Sequence, residues 1–236
     1  MLSPESLPKV AAQISLRDVS VRLDGHQILT DVSLDVSARR IAVVGANGSG
    51  KSTFARLLNG LVTAASGSVN VHGIDVAAAI AAARKRVGFV FSSPDAQILM
   101  PTVAEDVALS LKGGRDRGEI ARRVTETLEA YGLADHADAS AYSLSGGQKQ
   151  LLALASVLVR EPALVVADEP TTLLDRGNAR RIGNILIDEL PMQTVIVTHD
   201  LDLARRCDVA VLFDGGRVRA VDDADAVIDS YERMFV

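Results

Sequence analysis

The sequence predicts an α/β protein built on a parallel sheet, with a small antiparallel β-subdomain and an inserted helical subdomain. Three observations carry this. Residues 41–44, 87–91, 164–167, 195–197 and 209–213 are short, continuously apolar runs, and strands buried on both faces belong in a parallel sheet covered by helices. Residues 14–21, 32–36 and 68–71 instead alternate apolar and polar side chains, as half-buried strands do. The stretch from about 92 to 160 has no strand pattern at all and reads as the helical insertion.

Taken in order, residues 1–12 read as a flexible leader and 13–236 as one domain. Gly25 and His26 form a turn between the first two antiparallel strands, and Gly73 follows the third. The run 41–44 leads into a glycine-rich loop, and residues 54–58 open a helix. Residues 117–131 align Ile120, Val124, Leu128 and Tyr131 on one helical face, and residues 178–190 align Ile182, Ile185, Leu186 and Leu190. Gly113, Gly114 and Gly118 punctuate loops, and Ser145 is placed to N-cap a helix over 149–160.

Composition sets limits. A chain of 236 residues suffices for one well-buried domain. Its net charge of −5 offers no electrostatic reason to bind nucleic acid. The one cysteine, Cys207, excludes an internal disulfide, suits a reducing compartment and reads as a small semi-buried apolar residue. Ser3, Pro4, Glu5 and Pro8 interrupt the N-terminal segment, so no secretory leader is read there. The apolar runs at 77–83 and 151–159 are too short to span a bilayer. The expectation is a cytosolic chain that reaches a membrane only through a partner.

The run Gly45-Ala46-Asn47-Gly48-Ser49-Gly50-Lys51-Ser52-Thr53 fits the phosphate-cradling pattern G-x-x-x-x-G-K-[ST] between a strand and a helix, the context that pattern requires. Glycines let successive N–H groups face a polyphosphate, and the helix N-terminus adds partial positive charge. Lys51 is suited to the outer phosphates and the Ser52 hydroxyl to Mg²⁺. The strand at 164–167 ends in Asp168, a carboxylate suited to hold Mg²⁺ through water, followed by Glu169, suited to activate a water. His199 ends another apolar run and is read as a contact to the γ-phosphate and attacking water. Leu144-Ser145-Gly146-Gly147-Gln148 opens a helix and reads either as a plain cap or as a second anion site. That site is too far along the chain for the phosphate at Lys51, and suits one held by a second copy. His26, His72 and His136 carry only structural readings, and no His/Cys cluster has metal-ligand spacing.

Together these residues resemble the ATP-binding cassette (ABC) ATPases, a branch of the P-loop NTPases. The run 45–52 resembles their Walker A loop, Leu164 to Glu169 their Walker B strand with its glutamate, and residues 144–148 their signature. Leu174-Asp175 resembles the D-loop and His199 the switch histidine. The likeness runs from about residue 13 onward. It implies ATP and Mg²⁺ as ligands, Glu169 and His199 as catalytic residues, and a head-to-tail homodimer. Each ATP would lie between Lys51 and Ser52 of one copy and Ser145 and Gly147 of the other, and Gly146, Gln148 and Asp175 are also assigned to nucleotide binding.

Residues 87–97 (VGFVFSSPDAQ) and 101–107 (PTVAEDV) are similar to energy-coupling factor (ECF) importers for vitamins and transition metals, and most to the ATPase subunits of biotin importers. That likeness implies a transmembrane coupling protein, a substrate-capture membrane protein, and a location on the cytoplasmic face of the membrane. A helix of the coupling protein is expected to dock around residues 92–106. Cobalt, nickel or another vitamin remain alternative cargoes, and a soluble cassette acting on nucleic acid or ribosomes is disfavoured by charge. Four positions depart from the family. Ser92 stands for the first Q-loop glutamine, leaving Gln97 or a water to complete the metal site. Leu23 replaces the adenine-stacking aromatic, Leu173 the usual D-loop alanine, and Leu151 the arginine after the signature.

Overall fold

The computed structural model describes residues 13–111 and 116–235. The leader at 1–12 and the punctuation at Gly113 and Gly114 lie outside the described residues. β1 (Ile14–Leu23) and β2 (His26–Val36) form an antiparallel hairpin. Asp24 and Gly25 turn it with φ of 49° and 81°, the paired positive φ of a type I′ hairpin turn. His26 therefore begins the second strand, which starts well before the expected residue 32. β3 (Arg40–Gly45) is buried throughout and feeds α1 (Lys51–Leu57). β4 (Ser66–Val71) pairs with β1, and the short β5 (Ile74–Asp75) pairs with β4. The alanine-rich run leads into α2 (Ile80–Arg86), followed by β6 (Val87–Val90).

Three helices then precede the next sheet strand: α3 (Val103–Leu109), α4 (Arg117–Ala130) and α5 (Gly146–Leu158). Each start is capped. Thr102 and Glu105 form a reciprocal capping box on α3, Asp116 caps α4, and Ser145 with Gln148 forms a second box on α5. Such caps contribute about 1 kcal/mol each. The chain continues through β7 (Leu164–Asp168), α6 (Arg176–Asn184) with a π-helical turn at Ile185–Glu189, and β8 (Gln193–Val197). It closes with α7 (Leu201–Arg205), β9 (Val209–Asp214), β10 (Arg217–Asp223) and α8 (Ala224–Glu232).

The strands form two sheets, ordered β2-β1-β4-β5 and β10-β9-β3-β8-β7-β6. All five continuously apolar runs lie in the second sheet as parallel strands. Its sixth strand, β10, pairs antiparallel at the edge. The sequence reading missed β10 because an edge strand keeps polar, exposed positions and lacks a continuous apolar run. Alternate residues of the central strands serve opposite cores. Ile41 and Val43 pack with α1 and the antiparallel sheet, while Ala42 and Val44 pack with the helices of the other face. The same split separates Val166 from Val165 and Ala167.

Cys207 is buried in the helical-face core, and burial pushes its thiol up to about 12. A buried neutral thiol is a poor nucleophile. The native chain is therefore expected to resist a thiol-specific reagent at neutral pH and to react once denatured. Fast labelling of the folded chain would contradict this.

Candidate functional site

Parallel pairing decides where the site forms. β3, β8 and β7 are neighbours in one sheet, so their carboxyl ends meet at one edge, where ligands of open α/β sheets bind. Gly45, Asp168 and, just past Val197, His199 are delivered to that edge together. A cleft of about 330 Å³ opens there, lined by Asn47 to Thr53, Ile28 and Glu169.

The loop's glycines have separate reasons. Gly45 has φ of 141°, and a Cβ on it would stand 2.1 Å from the Phe213 carbonyl oxygen. Gly50 has φ of 101°, and a Cβ there would stand 2.5 Å from Leu29. A side chain at either position would clash as well as strain the backbone. The first turn of α1 then presents N–H groups that have no carbonyl partner within the helix. Inside the loop the Ser49 hydroxyl is buried with no protein partner. Lys51 is also buried, and its Nζ donates to the carbonyls of Gly45 at 2.8 Å and Ala46 at 2.9 Å. An ammonium has three protons, so one remains for a ligand. Burial holds the Lys51 pKa below the ordinary lysine value.

Across the sheet edge, Ser52 Oγ donates to Asp168 Oδ1 at 2.8 Å. Asp168 is buried, with the guanidinium of Arg56 at 3.8 Å from its other oxygen. Burial raises the Asp168 pKa, opposed by the Ser52 hydrogen bond and the Arg56 charge. A hydroxyl and a carboxylate in contact suit Mg²⁺, which prefers hard oxygens and keeps waters or phosphates as its other ligands. These two residues fit that ion.

Glu169 has φ of 53°, a left-handed conformation that costs of order 1–3 kcal/mol in a non-glycine residue and recurs at functional sites. Its amide donates to the Val197 carbonyl at 2.9 Å, tying it to β8. Its Oε2 accepts from Thr172 Oγ1 at 3.1 Å and meets His199 Nδ1 at 2.7 Å. The two residues proposed from sequence as base and switch histidine thus touch one another.

Gln97 does not join this group. Its Oε1 accepts from the Phe91 amide at 3.2 Å and its Nε2 donates to the Ala153 carbonyl at 2.8 Å. Both ends of the amide tie the end of β6 to α5, and Gln97 does not line the phosphate-loop cleft. Ser92 is exposed. Ser145, Gly146, Gln148 and Asp175 do not line the cleft either. Ser145 and Gly146 are exposed, Gly147 is buried, and Asp175 caps α6. The Gln148 amide is spent within its own copy, accepting from the Ser145 amide at 2.9 Å and meeting His136 Nε2 at 2.9 Å.

Sequence reasoning missed several supports. Ile28 supplies the apolar wall of the cleft, while Leu23, the residue expected near a base, does not line it. Thr172 and Arg56 orient Glu169 and Asp168. The unanticipated β9–β10 turn, Gly215-Gly216, holds the loop in place: the Gly216 amide donates to the Ser49 carbonyl at 3.2 Å and the Gly216 carbonyl accepts from Thr30 at 2.9 Å. Only the Gly-Gly pair, a hairpin-turn signal, could have flagged this.

The sequence matches the ABC transporter family over residues 29–172. It is 47% identical to a Deinococcus radiodurans protein named as an ABC transporter ATP-binding protein, over 94% of this chain and 98% of that one. It is 38% identical to the biotin transport ATP-binding protein BioM of Rhizobium etli, over 94% of this chain and 98% of that one. Among solved structures, it is similar to cbiO1 from Clostridium perfringens, described as part of the ABC transporter complex cbiONQ. The TM-score is 0.82 at 29% identity, covering 94% of this chain and 92% of that one. With the family match running from β2 through the Walker B glutamate and relatives aligned over nearly their whole length, the chain belongs to the ABC transporter family, as an ATPase subunit.

Proposed function

We propose that this subunit energises an ECF-type importer whose cargo is biotin, by closing two copies head-to-tail over two ATP molecules and reopening them on hydrolysis. The observation that carries the hydrolytic assignment is the Glu169 carboxylate at the phosphate-loop cleft, held by Thr172 and His199. Lys51 and the loop amides bind the phosphates. Ser52 and Asp168 would hold Mg²⁺, which when bound would neutralise charge on the phosphate oxygens. Glu169 orients a water and accepts its proton, and His199 keeps that carboxylate aimed. Positioned bases of this kind contribute about 10²–10⁴-fold.

Ser145, Gly146, Gly147 and Asp175 serve the ATP of the second copy, and Gln148 serves by holding Ser145. Support comes from their location outside the cleft of their own copy. Leu173 adds to it: this D-loop residue is 97% exposed, with φ of 67°. A second copy covering this apolar side chain would remove it from water, a favourable change.

No helix among the described residues is long and apolar enough to cross a membrane, and the importer reading assigns the membrane passage to integral partners. A groove of about 310 Å³ lies between the core and the inserted helices, lined by Leu61, Arg84, Gln97, Leu99 and Arg160 among others. It receives the cytosolic helix of the coupling protein, on the cytoplasmic face of the membrane. The ECF assignment rests on residues 87–107, and biotin on the likeness to BioM. Affinity purification from detergent-solubilised native membranes, read by mass spectrometry, tests it. Recovery of a coupling protein with a small capture protein is expected, and that protein's ligand decides between biotin, cobalt, nickel and other vitamins. Recovery from the soluble fraction alone would overturn the transport assignment.

A further inference from the structure

We infer that Asn178 is a positioning residue that locks the signature glycine Gly147 to the D-loop carboxylate of Asp175, so that the two elements offered to the second copy's ATP move as one piece. This rests on the two-copy reading above. Asp175 Oδ1 accepts from the Asn178 backbone amide at 3.0 Å, an ordinary helix cap. Its Oδ2 accepts from Asn178 Nδ2 at 2.6 Å, which a cap does not require. Both oxygens are thus held by one residue, and these bonds keep the Asp175 carboxyl below the usual carboxylate range.

The same carboxamide lies against α5. A Cβ on Gly147 would stand 2.3 Å from Asn178 Cγ and 2.5 Å from its Nδ2 and Oδ1. Gly147 is helical and has no positive φ, so it is space, and not backbone conformation, that demands glycine. Gly146 differs, because a Cβ there would meet nothing within 4 Å. An alanine at 147 fits only if the Asn178 carboxamide swings away, and that motion breaks its bond to Asp175. Displacement of the signature is thereby passed to the D-loop through one side chain.

The test is a double-mutant cycle read in two ways. In nucleotide-free chains, Gly147→Ala is expected to lower the melting temperature, and adding Asn178→Ala to remove most of that loss, because neighbours that share a contact are non-additive. In a Glu169→Gln background, ATP-dependent dimerisation is read by light scattering. Asn178→Asp keeps the shape but sets a carboxylate against Asp175, and should weaken dimerisation about tenfold or more, a coupling of the size contacting residues show. Asn178→Ala should weaken it less, and ATP affinity of the monomer should be unchanged in both. A role in packing alone predicts that Asp is tolerated better than Ala, and that order would overturn the proposal. Additive melting losses would also overturn it. If the Glu169→Gln parent stays monomeric with ATP, the two-copy reading and the dimer role fall together, while the melting cycle still reports whether the lock exists.

Discussion

Glu169→Gln is expected to lower ATP turnover by about 10²–10⁴-fold, the contribution of a positioned base, while ATP binding persists and the closed dimer accumulates. Glutamine has nearly the same shape and keeps an oxygen that can accept from Thr172 Oγ1, which now stands 3.1 Å from the carboxylate. The strained backbone at φ 53° is also retained, since it is set by the tie of the amide to Val197. What is lost is the ability to take a proton. The neighbouring His199, at 2.7 Å, is left without its carboxylate partner. Phosphate release measures the turnover, and size-exclusion chromatography with ATP measures the dimer. Turnover near the wild-type rate would remove Glu169 from its assigned role.

Lys51→Ala is expected to weaken ATP binding by roughly 10–100-fold, since hydrogen bonds to charged groups contribute about 1.5–3 kcal/mol. Two effects combine. A positive charge facing the phosphates disappears, and the carbonyls of Gly45 and Ala46 lose the ammonium that joins them. The loop then loses its internal tie as well as its ligand contact. Lys51 is buried, and burial already disfavours its charge. Its removal takes one compensating charge from buried Asp168, which keeps the Ser52 hydroxyl at 2.8 Å and the Arg56 guanidinium at 3.8 Å. Equilibrium titration with a fluorescent nucleotide gives the affinity, and circular dichroism checks that the fold remains. Undiminished affinity with an intact fold would contradict the assignment.

Much of this architecture is legible in the residues. The five apolar runs identify the parallel strands because burial on both faces leaves no polar position to disguise them. The phosphate loop, the Asp168-Glu169 pair and the signature are compact motifs, so each declares itself locally. Strand β10 and the early part of β2 are less legible, because exposed strands owe their pairing to neighbours and not to their own apolarity. Gln97 shows the same limit from the site's side. Its type and position suited a metal ligand, yet its amide is engaged by the nearby Phe91 N–H and by the carbonyl of Ala153, which is distant in sequence.

The sequence by itself determined the family and the layered α/β class and nominated the residues assigned to the chemistry, since these depend on residue type and short-range spacing. The tertiary structure decided which of them meet. Ser52 reaches Asp168, Glu169 reaches His199, and Asn178 bridges Gly147 and Asp175, while Gln97 is kept apart. Strand order and register bring Ser52 to Asp168 and Glu169 to His199, because parallel pairing brings distant carboxyl ends to one edge, and no local pattern encodes which strands will be neighbours.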